Sequence, residues 1–157
     1  MKQNSSIKEQ ALHPTSITRE VGSLEKESNA ELDDRIKMAL HAAAEKKAID
    51  PVVLDLREIA SFTDYFVITS GANERQVQAI SDEVFEKLKK AGTPAARVEG
   101  YKSAEWILLD FGDFVFHVFD EKARKFYDLE RLWRESKRVA LPTELAGVAG
   151  SSLRNES

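Results

Sequence analysis

The chain has 157 residues, 42% hydrophobic and 32% charged, with a formal net charge of −4 and no cysteine. That length and composition fit one soluble folded domain with a core of its own and exclude wholesale disorder, and the acidic balance excludes a general coat for nucleic acid. The lack of cysteine excludes disulfides and thiol catalysis and suits a reducing cytoplasm, while no apolar run nears the ~20 residues of a membrane span and the N-terminus has no signal-peptide core.

Residues 1–29 are polar, rich in Ser, Glu, Gln and Lys, with apolar residues that keep no period. Such a stretch buries too little to offset the entropy of ordering it, so a flexible N-terminal extension is expected. From Glu31 the pattern changes: Leu32, Ile36, Met38, Ala39, Leu40, Ala43 and Ala44 form a helical stripe, with Asn29 as N-cap and an end near Lys47. Asp50-Pro51 forces an extended start to a first strand at Val52–Leu56, and a turn over Ala60–Asp64 leads to a second at Tyr65–Thr69. Both strands are apolar on both phases, as strands covered on two sides are. Asn73, with Gln76 three residues on, starts a long helix whose inner face is Val77, Ile80, Val84, Phe85 and Leu88, and Gly92 and Pro94 end it.

Ala96–Val98 is a short strand, and Trp106–Phe111 and Phe114–Phe119, joined at Gly112-Asp113, read as a hairpin. Asp120 caps a last helix over Glu121–Val139, with Phe126, Leu129, Leu132 and Trp133 on its buried side. From Pro142 to residue 157 the chain reads as a flexible tail, leaving a domain over 30–141. The fold class is α/β (α+β): a single mixed sheet of about five strands with helices packed against it.

Catalytic sets are hard to assemble from these residues. His13, His41 and His117 are far apart and show no ligand spacing, so no metal is expected. Ser70-Gly71 before a helix could cradle a phosphate, and the strand-Ser-Gly-helix layout loosely resembles the start of nucleotidyltransferase domains. Those enzymes need alternating carboxylates on the next strand, whereas the next acids here, Asp82 and Glu83, are neighbours in a helix and point apart. Asp110 and Asp113 flank a tight turn, which itself explains an acid there. His117 lies mid-strand with no serine or cysteine partner nearby, so a hydrogen-bonded structural histidine is expected. The basic residues around Phe126, Tyr127 and Trp133 follow a core stripe and do not make a sequence-specific nucleic-acid reader.

A protein-binding face fits better. Trp106, Leu108 and Asp110 share one side of their strand; Ile107, Leu109 and Phe111 share the other. If helices cover only the second side, the first shows Trp and Leu to solvent, rimmed by Glu99 and Lys102, the make-up of an interface hot spot. Pattern alone leaves Trp106 open between core and contact.

The segments DYFVITSG at 64–71, RQVQAISDEV at 75–84, EG at 99–100, WILLDFGDFVFHVF at 106–119 and ARKFYDLERLW at 123–133 together resemble the ribosomal silencing factor S (Iojap-related) family. The resemblance covers roughly Leu32 to Val139 and leaves the N-terminal extension unmatched. It implies a nucleotidyltransferase-like core without catalytic residues, no cofactor and no catalysis. It implies binding to the large ribosomal subunit through its ribosomal protein number fourteen, a steric block to joining of the two subunits, and repression of translation when nutrients run low. It also implies that Trp106 is a contact residue, with Leu108, Asp110 and Glu99 beside it, so that Trp106→Ala would weaken binding and leave the fold intact. The alternative on the same fold is a nucleotide-binding or nucleotidyltransferase-like enzyme. A second copy of the chain is the other partner an exposed apolar face would take when the protein is free, as a homodimer.

Overall fold

Alternating apolar residues on the central strands place a sheet in the middle of the molecule, and the computed structural model, which describes residues 6–14 and 27–148, shows how its two faces are covered. The strands are β1 (Ile49–Asp55), β2 (Tyr65–Gly71), β3 (Arg97–Glu99), β4 (Trp106–Asp110), β5 (Phe114–Asp120) and β6 (Lys137–Val139), in the order β3-β4-β5-β2-β1-β6. β2 and β5 are parallel, Tyr65 opposite Phe114 through to Gly71 opposite Asp120, and every other pairing is antiparallel. Among the described residues the sheet is therefore single and mixed, with six strands instead of about five.

The extra strand comes from the end of the expected last helix. That helix divides into α4 (Glu121–Tyr127) and a single turn, α5 (Leu129–Leu132), because Asp128 takes a left-handed conformation at φ 51°. Aspartate tolerates that geometry better than most side chains. Ser136 then closes on the Trp133 carbonyl through its hydroxyl, and Lys137–Val139 leaves the helix axis to pair with β1 and bury Val139. At the hairpin the expectation holds: Gly112 sits at φ 89°, a conformation that costs a glycine almost nothing, and the Asp110 carboxylate accepts its N–H at 2.9 Å.

One face of the sheet carries α2 (Asp34–Glu45) and α3 (Glu74–Lys90). Ile36, Ala39, Leu40 and Ala43 of α2 and Val77, Ile80, Val84 and Leu88 of α3 meet Val53, Val67, Ile107, Leu109, Phe116 and Val118. The four α3 side chains contribute about 2 kcal/mol each at most on area grounds. Asn73 caps α3 by accepting the Gln76 N–H, and the Gln76 side chain returns to the Ala72 N–H and to the Lys46 and Lys47 carbonyls at the end of α2.

α2 starts at Asp33 rather than Asn29. The chain before it lies extended beside β6, where the Ser28 N–H donates to the Arg138 carbonyl and the Ser28 hydroxyl to Asp55. Asp33 accepts from the Arg35 N–H at 2.7 Å, and the Arg35 guanidinium spans Asp33 and Asp113, tying the helix start to the hairpin turn. Asp33→Ala should lower the unfolding free energy by about 1–2 kcal/mol, the usual cost of a lost N-cap, read by urea denaturation; no change would show that Arg35 and Asp113 hold the helix start without it.

The second face carries α4, α5 and a short helix, α1 (Ile7–Leu12), with Leu54, Leu56, Phe66, Ile68, Trp106, Leu108, Val115 and Phe119 beneath them. α1 lies within the stretch expected as a flexible extension, and residues 1–5 and 15–26 of that stretch lie outside the described residues. The chain also continues in order past Pro142: Thr143–Leu145 makes a 3-10 turn that buries Leu145, and the Val148 backbone pairs with Ala48 and Asp50. The rest of the expected C-terminal tail, 149–157, lies outside the described residues.

Candidate protein-binding face

β4 and β5 pair with Trp106 opposite Phe119 and Leu108 opposite His117, and β3 pairs with β4 so that Glu99 is opposite Leu108. Residues directly across a ladder share a face, as do alternate residues along a strand. Trp106, Leu108 and Asp110 therefore stand on one side of β4, as the sequence pattern has it, with Ile107 and Leu109 in the opposite core, and the β3 pairing puts Glu99 on the Trp106 side.

Exposure departs from expectation. Trp106 is only 3% exposed and Leu108 fully buried, whereas Glu99 and Asp110 are partly exposed. The premise that helices cover only the Ile107 side fails because α1, α4 and α5 close the Trp106 side as well. Trp106 stacks on Phe119 with ring centroids 5.0 Å apart and leans on Tyr127 of α4 at 4.9 Å. Its upper side is capped by α1, where Lys8 Nζ lies 4.7 Å from the indole centroid, a cation–π arrangement. Ala11 of α1 is fully buried, and its carbonyl accepts the Trp133 Nε1–H at 2.7 Å.

His117 is the structural, hydrogen-bonded residue expected. The Trp106 Nε1–H donates to His117 Nδ1 at 3.0 Å, which places the imidazole proton on Nε2. The ring is completely buried between Phe66, Trp106 and Phe119, and Nε2 has no hydrogen-bond partner among the described residues. Burial, reinforced by the Lys8 ammonium, pushes its pKa from 6.5 down to about 3, so the ring is neutral at any ordinary pH.

Acidic and basic groups alternate around this face, with Glu99, Glu105 and Asp110 set among Lys8 and Arg97. Glu99 and Glu105 both act electrostatically on Lys8, whose pKa is nonetheless lowered because burial outweighs them. Glu99 also lies 3.9 Å from Arg97 along β3.

Next to Ser70-Gly71, the Ala72 N–H that a phosphate cradle would use is taken by Gln76 Oε1 at 2.6 Å. The Ser70 hydroxyl accepts from Arg124 Nη1 at 2.9 Å, and Arg124 also reaches the Ile49 carbonyl and Glu130. Gly71 packs closely under the start of α3: a Cβ there would sit 3.0 Å from the Val77 backbone nitrogen, so the helix would have to give by a few tenths of an ångström. Asp113 is ion-paired with Arg35 at 2.8 Å and Asp110 caps the turn, so the two acids are occupied separately. Among the described residues no group of three or more His, Cys, Asp or Glu is placed to hold a metal ion, and no helix is long and apolar enough to cross a membrane.

Lys8, Ala11 and Tyr127 belong to this face without having been assigned to it from the pattern. The local signal for α1 was Ser6-Ile7-Lys8-Glu9, a Ser-x-x-Glu start, and in the structure the Ser6 hydroxyl accepts the Glu9 N–H. Where that short helix docks has no sequence signature.

A family model described as "Ribosomal silencing factor during starvation" matches residues 29–156. The "Ribosomal silencing factor RsfS" of Halalkalibacterium halodurans is 40% identical over 121 residues, covering 77% of this chain and 97% of that protein. The mouse "Mitochondrial assembly of ribosomal large subunit protein 1" is 32% identical over 121 residues, covering 75% of this chain and 52% of its own length. Among solved structures, a protein of Chromobacterium violaceum superposes with a TM-score of 0.64 at 34% identity, covering 72% of this chain and 91% of that one. The family match begins at residue 29, so α1 lies outside it.

Proposed function

The chain belongs to the ribosomal silencing factor family, and on that premise we propose that it is a translational repressor that binds the large ribosomal subunit through its ribosomal protein number fourteen and blocks joining of the small subunit. The observation that carries the site is the gathering of Glu99, Trp106, Leu108 and Asp110 on one side of the β3–β4 edge. Glu99 and Asp110 reach the surface while Trp106 and Leu108 lie beneath the helices; uncovered, this aromatic and aliphatic centre with its two carboxylates would suit a partner surface that offers an apolar pocket among basic side chains. The mouse relative's name, which places that protein in assembly of the large subunit, supports the same partner here.

The mechanism needs no chemistry on a substrate. A contact of about 800 Å² per partner is enough for a stable complex, and a domain held at the subunit-facing side then fills space that the small subunit requires. α1, α4 and α5 cover the Trp106 face within a single chain, so a second copy is not needed to cover it.

The test is co-sedimentation of the full chain with isolated large and small subunits, followed by a joining assay. The protein should pellet with large subunits alone and lower the yield of joined ribosomes; failure to pellet with large subunits sinks the proposal. Asp110→Asn tests the site itself, because the amide oxygen still accepts from Gly112 while the charge is gone. Its co-sedimentation should weaken several-fold with the thermal midpoint nearly unchanged, and undiminished binding would remove Asp110 from the contact.

A further inference from the structure

The helix over the Trp106 face comes from the chain's own N-terminal segment, and it uses the groups that a partner would use. Lys8 stands over the Trp106 ring and within the field of Glu99 and Glu105, so α1 meets the aromatic centre and these two carboxylates together. Ala11 reaches the buried layer shared with Leu108 and Trp133.

The attachment is also small. α1 has six residues with Ala11 alone fully buried, and Ile7 and Leu12 only partly so. Isolated helices well over this length are marginal in water, so α1 owes its helicity to the surface beneath it. α2, α3, α4 and α5 all fall within the residues matched by the family model, whereas α1 precedes them. It is joined to the remainder through residues 15–26, so a displaced α1 stays tethered at high local concentration.

We propose that α1 is an intramolecular strap that holds the ribosome-binding face closed, so that the partner and residues 6–14 compete for the Trp106–Leu108 surface. This rests on the assignment of that surface to ribosome binding. The partner binds only the open form, and the apparent dissociation constant equals the intrinsic one divided by the open fraction. A strap docked in about nine molecules of ten weakens apparent binding about tenfold.

Both tryptophans of the chain touch α1, Trp106 under Lys8 and Trp133 through the Ala11 carbonyl, so intrinsic fluorescence reports docking without reference to the ribosome. The experiment compares three full-length proteins: wild type, Ala11→Glu, which forces a charge into a closed layer, and the uncharged double variant Ile7→Ser/Leu12→Ser. Both variants should show red-shifted emission and bind isolated large subunits about tenfold more tightly than wild type. The uncharged variant separates release of the strap from a change in surface charge. Emission that does not move in either variant would show that α1 is not docked and would overturn the proposal. A red shift with unchanged or weaker binding would also overturn it while leaving the ribosome-binding assignment standing. Wild type and both variants all failing to bind large subunits would instead overturn that assignment, and the strap's role with it.

Discussion

Trp106→Ala should lower the unfolding free energy by about 3–5 kcal/mol, a large share of the ~5–15 kcal/mol that a domain of this size holds in total. The indole lies between the Phe119 and Tyr127 rings with Lys8 above it, and its removal opens a cavity that stacked rings on a pleated sheet cannot fill by small shifts. It also strips the fully buried His117 Nδ1 of the Trp106 N–H that it accepts, adding the cost of an unpaired buried acceptor. Trp106→Phe, which keeps most of the ring volume but not the N–H, should lose less, about 1–2 kcal/mol. Urea unfolding of the three proteins checks both values. A Trp106→Ala variant as stable as wild type would show that the indole is not buried in solution, which is what a face open to solvent demands. The expected loss also changes how binding data are read: weak ribosome binding by Trp106→Ala reports contact only after the unfolded fraction has been measured, whereas Asp110→Asn carries no such penalty.

The sequence made the strands of this face legible and its covering illegible, for a physical reason. Alternation assigns side chains to faces, and it placed Trp106 and Leu108 on one side and Ile107 and Leu109 on the other, as they stand. It says nothing of what lies above a face. The caps at Asn73 and Asp120 and the turn at Gly112 are local chemistry and could be read directly. The N-cap of α2 was displaced from Asn29 to Asp33 by pairing of Ser28 with Arg138, a contact between residues more than a hundred positions apart. β6 spans three residues, too few to show a period, and it exists because Asp128 breaks the preceding helix and β1 offers an edge. α1 is the extreme case: six residues without a sustained apolar stripe, ordered by a surface built from distant strands.

Lowering the pH from about 7 to about 5 should destabilise the protein by about 2 kcal/mol through His117 alone. The folded imidazole is held at about 3 by burial, with Lys8 adding to the effect, while the unfolded one titrates at its ordinary 6.5. Between those values the unfolded chain binds the extra proton and the folded chain does not, so stability rises with pH across the window and is lost as pH falls below 6.5. At pH near 5 the size of the loss is set by the unfolded value, since the folded one lies well below. Carboxylates act lower on the scale. Asp33, held down by its hydrogen bond from Arg35, and Asp55, where burial pushes up but bonds from Arg57 and Ser28 prevail, both give up their contributions only as pH falls through the carboxylate range. His117→Gln separates the two sources, because its amide oxygen can still accept from the Trp106 indole and has no proton to gain. That variant starts from a lower stability, yet its unfolding free energy should change by only a few tenths of a kcal/mol over the same interval. Parallel losses in wild type and His117→Gln would show that the buried imidazole is not what makes this fold acid-sensitive above the carboxylate range.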